Sequence, residues 1–138
     1  MRIIAYDEGL FTISPEYKKE GNENSDIEIG IVPTLRYRDN ENLIGAQLKI
    51  EYLKDDKPFL MYNMVLSIRM EEWTDFISKN PKDEEFMAFT EKVWEVTLGY
   101  ARGVIGVKTE NTELKGLFLP IVKMSDFLPT VKIIKEEK

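Results

Sequence analysis

Two stretches decide the fold: Leu43-Ile44-Gly45-Ala46-Gln47-Leu48-Lys49-Ile50-Glu51-Tyr52-Leu53 and Phe59-Leu60-Met61-Tyr62-Asn63-Met64-Val65-Leu66-Ser67-Ile68-Arg69-Met70. Each alternates with period two, the repeat of a strand with one face buried. Ile44, Ala46, Leu48, Ile50 and Tyr52 share a face, with Gln47, Lys49 and Glu51 opposite. The even positions from Leu60 to Met70 are wholly apolar, whereas the odd ones include Asn63, Ser67 and Arg69. The five residues between, Lys54-Asp55-Asp56-Lys57-Pro58, are turn formers. Parallel neighbours need a crossover of about a dozen residues, so this pair is antiparallel.

Upstream, Asp26 to Arg38 repeats the pattern, with Ile27, Ile29, Ile31, Leu35 and Tyr37 on one side, and Asp39-Asn40-Glu41-Asn42 turns the chain into the next strand. Leu10-Phe11-Thr12-Ile13 fits a first strand, and Lys18 to Ser25 reads as a polar, mobile loop. A sheet with one apolar and one polar face is covered on one side only.

Downstream the period changes to that of a helix. Asn80-Pro81-Lys82-Asp83-Glu84-Glu85 places three carboxylates where the positive end of the helix dipole lies. From Phe86 to about Lys108, one apolar stripe runs through Phe89, Val93, Thr97, Tyr100 and Val104, and a second through Met87, Trp94, Leu98, Ala101 and Ile105. The polar strip holding Glu91, Lys92, Glu95 and Arg102 is narrow. A helix apolar around most of its circumference needs more cover than one sheet face gives. Another chain or a ligand is expected on it. Gly99, Gly103 and Gly106 interrupt the helix at about 1 kcal/mol each against Ala. Close approach of another backbone accounts for them better than fraying after Gly103. Glu110 to Gly116 reads as a linker, Leu117 to Val122 as an apolar connector, and Ser125 as the cap of a last helix with Phe127 and Leu128 that Pro129 cuts short. The whole is an α+β domain over 1–138: a four-stranded antiparallel sheet (about 2–70), then a long helix, a connector and a short C-terminal helix (about 82–130).

Composition narrows the chemistry. Among 138 residues there is no Cys and no His, which removes disulfides, thiolate nucleophiles, Cys/His zinc sites and imidazole bases. The pairs Glu71/Glu72 and Asp55/Asp56 lie at a strand end and in a turn, where solvated surface is expected rather than an acid–base dyad. An enzyme is therefore not expected, nor any metal or cofactor. The net charge of −6 opposes nucleic-acid binding, although Leu35-Arg36-Tyr37-Arg38 interleaves basic and aromatic residues. The longest uncharged run, Pro58 to Ile68, is eleven residues, short of the ~20 that span a bilayer. A soluble, cytoplasmic protein without membrane insertion is expected. Met61, Phe59, Trp73 and Phe76, which the even-numbered strand face does not claim, form a candidate adaptable apolar binding surface.

The order of elements resembles that of the bacterial SecB export chaperones. Leu98-Gly99-Tyr100-Ala101-Arg102 is similar to their Phe-Pro-Tyr-Ala-Arg helix motif, and Leu117-Phe118-Leu119-Pro120-Ile121-Val122 with Ser125-Asp126-Phe127-Leu128 resembles their connector and final helix at nearly the same spacing. The layout covers nearly the whole chain; the specific matches occupy about thirty residues after Leu98. The resemblance implies a homotetramer with long helices between two outer sheets, holding unfolded precursor polypeptides without ATP. By position it implies client contacts at Ile27, Ile29, Ile31, Phe127 and Leu128, to which Met61, Trp73 and Phe76 add the apolar surface above. The helix segment Trp94, Leu98, Tyr100, Ala101, Arg102 and Ile105 is the expected interface between copies. Tyr62 stands where many members carry a carboxylate that docks on the translocase ATPase, Pro129 shortens the last helix, and the tail lacks zinc-domain-docking character. Client holding is thus expected over delivery to an export motor. Some relatives instead guard an antitoxin, so a single dedicated protein partner, in a toxin–antitoxin pair or as an adaptor, is the alternative.

Overall fold

The computed structural model describes residues 1–15 and 27–136. The expected loop at Lys18 to Ser25 lies outside the described residues. Strands β1 (Arg2–Ile13), β2 (Ile27–Tyr37), β3 (Leu43–Lys54) and β4 (Lys57–Arg69) are followed by helices α1 (Trp73–Ser78), α2 (Asp83–Thr109) and α3 (Met124–Phe127), a 3-10 turn (Leu128–Thr130) and β5 (Lys132–Lys135). The strand order is β1-β4-β3-β2-β5. The domain is α+β as expected, but the sheet has five strands and is mixed: β5 pairs with β2 in parallel, Leu35 opposite Ile133. The expected four antiparallel strands are present as β1 to β4. The fifth lies in the tail, where no alternation announces it.

Register explains the core. Antiparallel pairing sets Leu35, Ala46, Leu66 and Tyr6 in one row across the sheet, and Ile31, Ile50, Tyr62 and Phe11 in another. Their side chains share one face because residues opposite one another in a ladder point the same way. Of these, Leu35, Ala46, Ile50, Tyr62 and Leu66 are fully buried. Asp55 and Asp56 both take positive φ (52° and 63°), the backbone of a two-residue hairpin whose twist matches the strands it joins. Between Glu8 and Leu10 the β1–β4 register shifts, and this irregularity lets both Glu8 and Phe11 stand on the covered face.

The helices lie on that face. Asn42 ties α1 to the β2–β3 turn: its carbonyl accepts from Met70 N at 2.8 Å, and its Oδ1 accepts from Thr74 N at 3.0 Å. Helix α2 begins with Asp83, Glu84 and Glu85 in its first turn, and Lys82 N donates to Glu85 Oε1 at 3.3 Å. It runs unbroken for 27 residues through all three glycines, so the fraying alternative does not occur. Trp94, Leu98, Ala101 and Ile105 face the chain's own core, and the hydroxyls of Thr90, Thr97 and Thr109 satisfy themselves on carbonyls four residues back. After α2 the chain doubles back: Leu114, Leu117 and Leu119 are buried, and the Phe127 ring packs 5.5 Å from Trp94.

Candidate functional site

The expected interface residues divide. Trp94, Leu98, Ala101 and Ile105 are core residues of this chain, because the returning connector and α3 cover the flank of α2 that the sheet leaves bare. A side chain sealed inside one subunit cannot also form the contact between two, so these four expectations are corrected. Arg102 clamps the connector: its Nε donates to the carbonyl of Leu119 at 2.9 Å and its Nη2 to that of Pro120 at 3.1 Å. Tyr100 alone of the six turns to an open face, 39% exposed.

That face is a groove between β1 and α2, about 660 Å³, lined by Tyr6, Glu8, Gly99, Tyr100, Gly103, Val104, Val107 and Lys108. Its walls are mostly apolar. The Tyr6 and Tyr100 rings lie 5.0 Å apart, tilted by 34°. At the sheet end, the hydroxyls of Tyr6 and Tyr62 share a hydrogen bond of 2.7 Å, and Tyr6 Oη also donates to Glu8 Oε1 at 3.2 Å. Lys108 Nζ bridges both Glu8 oxygens at 2.9 and 3.1 Å and sits 5.0 Å from the centre of the Phe11 ring. The Lys108 hydrogen bond, opposed by partial burial, holds the Glu8 carboxyl below its usual range. Burial pushes the Tyr6 and Tyr62 hydroxyls up, so both stay protonated at neutral pH. Every ionisable group here is paired or neutral, and none stands free as a base. Gly99 and Gly103 floor the groove, and a Cβ built on either meets nothing within 4 Å.

The expected client contacts also scatter. Ile27, Ile29 and Ile31 are half-buried on the covered face at the start of β2, while Met61 is half-buried on the opposite face, across from Thr12 and Glu51. Trp73 and Phe127 are buried in the core, a further correction: Trp73 is enclosed by the rings of Tyr37, Phe76, Phe86 and Phe89, all within about 6 Å, and Phe127 by Trp94. Phe76 stacks on Phe89 at 4.0 Å. Leu128 is half-buried in a shallow groove of about 140 Å³ shared with Phe86, Met87, Thr90 and Ile133. These residues do not form one surface.

The apolar side chains that are open were missed by sequence: Val107 is 72% exposed, Phe118 61% and Ile121 88%, with Ile133 and Ile134 of β5 further round the molecule. Within the connector, alternation carried the signal, since Leu117 and Leu119 point in while Phe118 and Ile121 do not. Among the described residues no group of three or more carboxylates converges on a common point, and no helix is long and apolar enough to cross a membrane. Searches of protein-family models, of curated proteins and of solved structures found no match to this chain.

Proposed function

We propose that this protein is a self-associating, ATP-independent holdase of SecB type that binds unfolded or precursor polypeptides. The observation that carries the reading is the apolar surface left open by a well-packed core: Val107, Phe118 and Ile121 stay exposed although the chain folds back over the same helix. The Phe118 ring lies beside Gly106, the neighbour of Val107, and exposed apolar side chains grouped in this way mark an interaction surface. The sequence blocks Tyr100-Ala101-Arg102 and Leu117 to Val122 support the same reading through their family resemblance. Binding by burial of apolar surface yields about 25 cal/mol per Å² without direction or nucleotide, which suits clients that share nothing but exposed greasy segments. Flexible Met87 and Met124, near the last helix, tolerate varied client shapes. The net charge of −6 steers basic, unfolded chains inward.

The test is light scattering from a chemically denatured client diluted into buffer containing the protein and no nucleotide. Dose-dependent suppression up to equimolar protein is expected with several unrelated clients. Unchanged aggregation with all of them refutes the holdase, and capture of one folded partner at fixed stoichiometry would replace it with an adaptor.

A further inference from the structure

The run Leu35-Arg36-Tyr37-Arg38, basic and aromatic by turns, is divided by the strand it ends. Arg36 lies on the face away from the helices, where its Nε donates to Gln47 Oε1 at 3.2 Å. Tyr37 and Arg38 instead line a cleft of about 560 Å³ between the β2–β3 turn, α1, the loop after it and β5. The cleft sits at the end of β2 away from Ile27, Ile29 and Ile31, and it shares no residue with the groove beside α2.

Its floor is aromatic. Trp73 is wholly buried there, with the Tyr37 and Phe86 rings edge-on to it at 5.5 and 5.6 Å. Among the described residues the Trp73 indole N–H has no hydrogen-bond partner. A buried donor without an acceptor is rare in a folded chain and calls for a cause. The walls are polar and equally unengaged. Among the described residues the Asn40 and Asn80 amides and the Thr74 hydroxyl make no side-chain hydrogen bond. The charged lining is Lys135, Asp39 and Arg38. Lys135 is bridged to Asp39. The carboxylate beside Arg38, that of Glu136, stands 3.7 Å off, beyond hydrogen-bond reach, so the guanidinium fork keeps its donors free.

These groups specify a ligand between them. An aromatic floor takes a flat apolar body, and an amide both donates to and accepts from the edge of a heterocycle. A guanidinium matches a carboxylate through two parallel bonds. The volume is that of a small-molecule site. The net charge of −6 repels anions elsewhere on the chain, so an acid is held only where a local cation outweighs it. We infer that this cleft binds a small planar heteroaromatic carboxylate, its acid group on Arg38, its ring over the floor of Tyr37, Trp73 and Phe86, and its ring heteroatoms toward Asn40 and Asn80. The inference stands apart from the holdase reading, which concerns the apolar surface at Val107, Phe118 and Ile121.

Isothermal titration calorimetry of the full chain with quinoline-2-carboxylate tests it. One saturable site with a Kd below about 1 mM is expected. Quinoline, which lacks the acid, and cyclohexanecarboxylate, which lacks the flat ring, each bind at least about tenfold more weakly. Arg38→Met weakens binding roughly tenfold, and Arg38→Lys does not restore it. Asn40 and Asn80 both take positive φ (69° and 51°), so Asn40→Gly and Asn80→Gly remove the amide without straining the backbone; each weakens binding about threefold. Arg36→Met, on the other face, leaves the affinity unchanged. In proton–nitrogen correlation spectra, the indole peak that is missing from Trp73→Phe shifts with the same midpoint as the heat, while that of Trp94, whose ring packs on Phe127, stays in place. No saturable binding at about 1 mM, equal affinity for the three compounds, or equal affinity of wild type and Arg38→Met overturns the site. A shift of the Trp94 peak alone overturns it as well, because the ligand is then bound elsewhere.

Discussion

Replacing Arg102 by Met tests whether the connector is held to α2 by the two hydrogen bonds or by its leucines alone. The substitution keeps an unbranched apolar stem along the helix and removes only the guanidinium. Two bonds are lost, Nε to the Leu119 carbonyl at 2.9 Å and Nη2 to the Pro120 carbonyl at 3.1 Å. The first is partly buried and donated by a cation, which is worth about 1–2 kcal/mol; the second is exposed and adds a few tenths. The sum is about 2 kcal/mol. For a chain of this length 1 kcal/mol moves the midpoint by roughly 3–5 °C, so Arg102→Met melts about 6–10 °C below wild type. Circular dichroism melts and urea titrations measure it. Hydrogen exchange localises it, because amides of the segment from Leu117 to Val122 lose protection while those of β3 and β4 do not. Arg102→Lys does not restore the loss, since an ammonium cannot reach two successive carbonyls in a planar fork. A melt within 2 °C of wild type, or recovery by Lys, refutes the clamp and leaves Leu117 and Leu119 as the sole anchors.

Two tyrosines on the covered face of the sheet separate satisfied from unsatisfied polar groups. Tyr62 Oη has Tyr6 Oη at 2.7 Å, so Tyr62→Phe costs about 1 kcal/mol in urea denaturation. Among the described residues Tyr52 Oη is buried without a hydrogen-bond partner, so Tyr52→Phe is neutral or raises stability by up to about 1 kcal/mol; a clear loss refutes the assignment. Burial pushes the Tyr52 hydroxyl up to about 12 from 10.0; its share of stability is whole below pH 10 and is lost as pH rises toward 12, and Tyr52→Phe makes that alkaline decline shallower. The Glu8 carboxyl is shifted down, chiefly by the Lys108 hydrogen bond, so its contribution is present above pH 4.5 and lost as pH falls through the lower folded value; Glu8→Gln flattens the acid limb of a stability–pH profile. Trp73→Ala costs about 3–5 kcal/mol because its four aromatic neighbours lose their common centre, whereas Trp73→Phe costs less than half of that, since it also removes a buried indole N–H that has no partner among the described residues.

Most of the sheet was legible in the sequence because β2, β3 and β4 each have one face on the core and one away from it, and period two reports that difference directly. β5 was not legible. Its four residues, Lys132-Ile133-Ile134-Lys135, are all exposed, and its pairing with Thr34 to Tyr37 closes a loop of about a hundred residues that no local pattern encodes. Helix α1 was missed because six residues make too short a window for period 3.6 to show. The extent of α2 was read well. Which of its stripes the chain itself covers was not. Trp94 and Leu98 look like the natural surplus by size, but which side of a wholly apolar helix is covered depends on where Leu114, Leu117, Leu119 and Phe127 return, and that is a tertiary fact. Tyr100 and Arg102 differ by two residues and end with different neighbours for the same reason: one sits against Tyr6, the other holds the connector.

The geometry of α2 also sets why a face stays open at all. Twenty-seven residues make a helix of roughly 40 Å, about the length of the strands beneath it. The sheet seals one side. The segment after Thr109 must cross back along the helix, contribute α3 near Trp94 and then reach the β2 edge as β5. That route covers one flank only. The other flank, from Val96 through Gly103 to Val107, is left to β1, whose Tyr6 and Glu8 meet it only along the rim of the groove. A chain under selection for stability alone would place Ala or a charged helix former at positions 99 and 103, gaining about 2 kcal/mol and hiding nothing less.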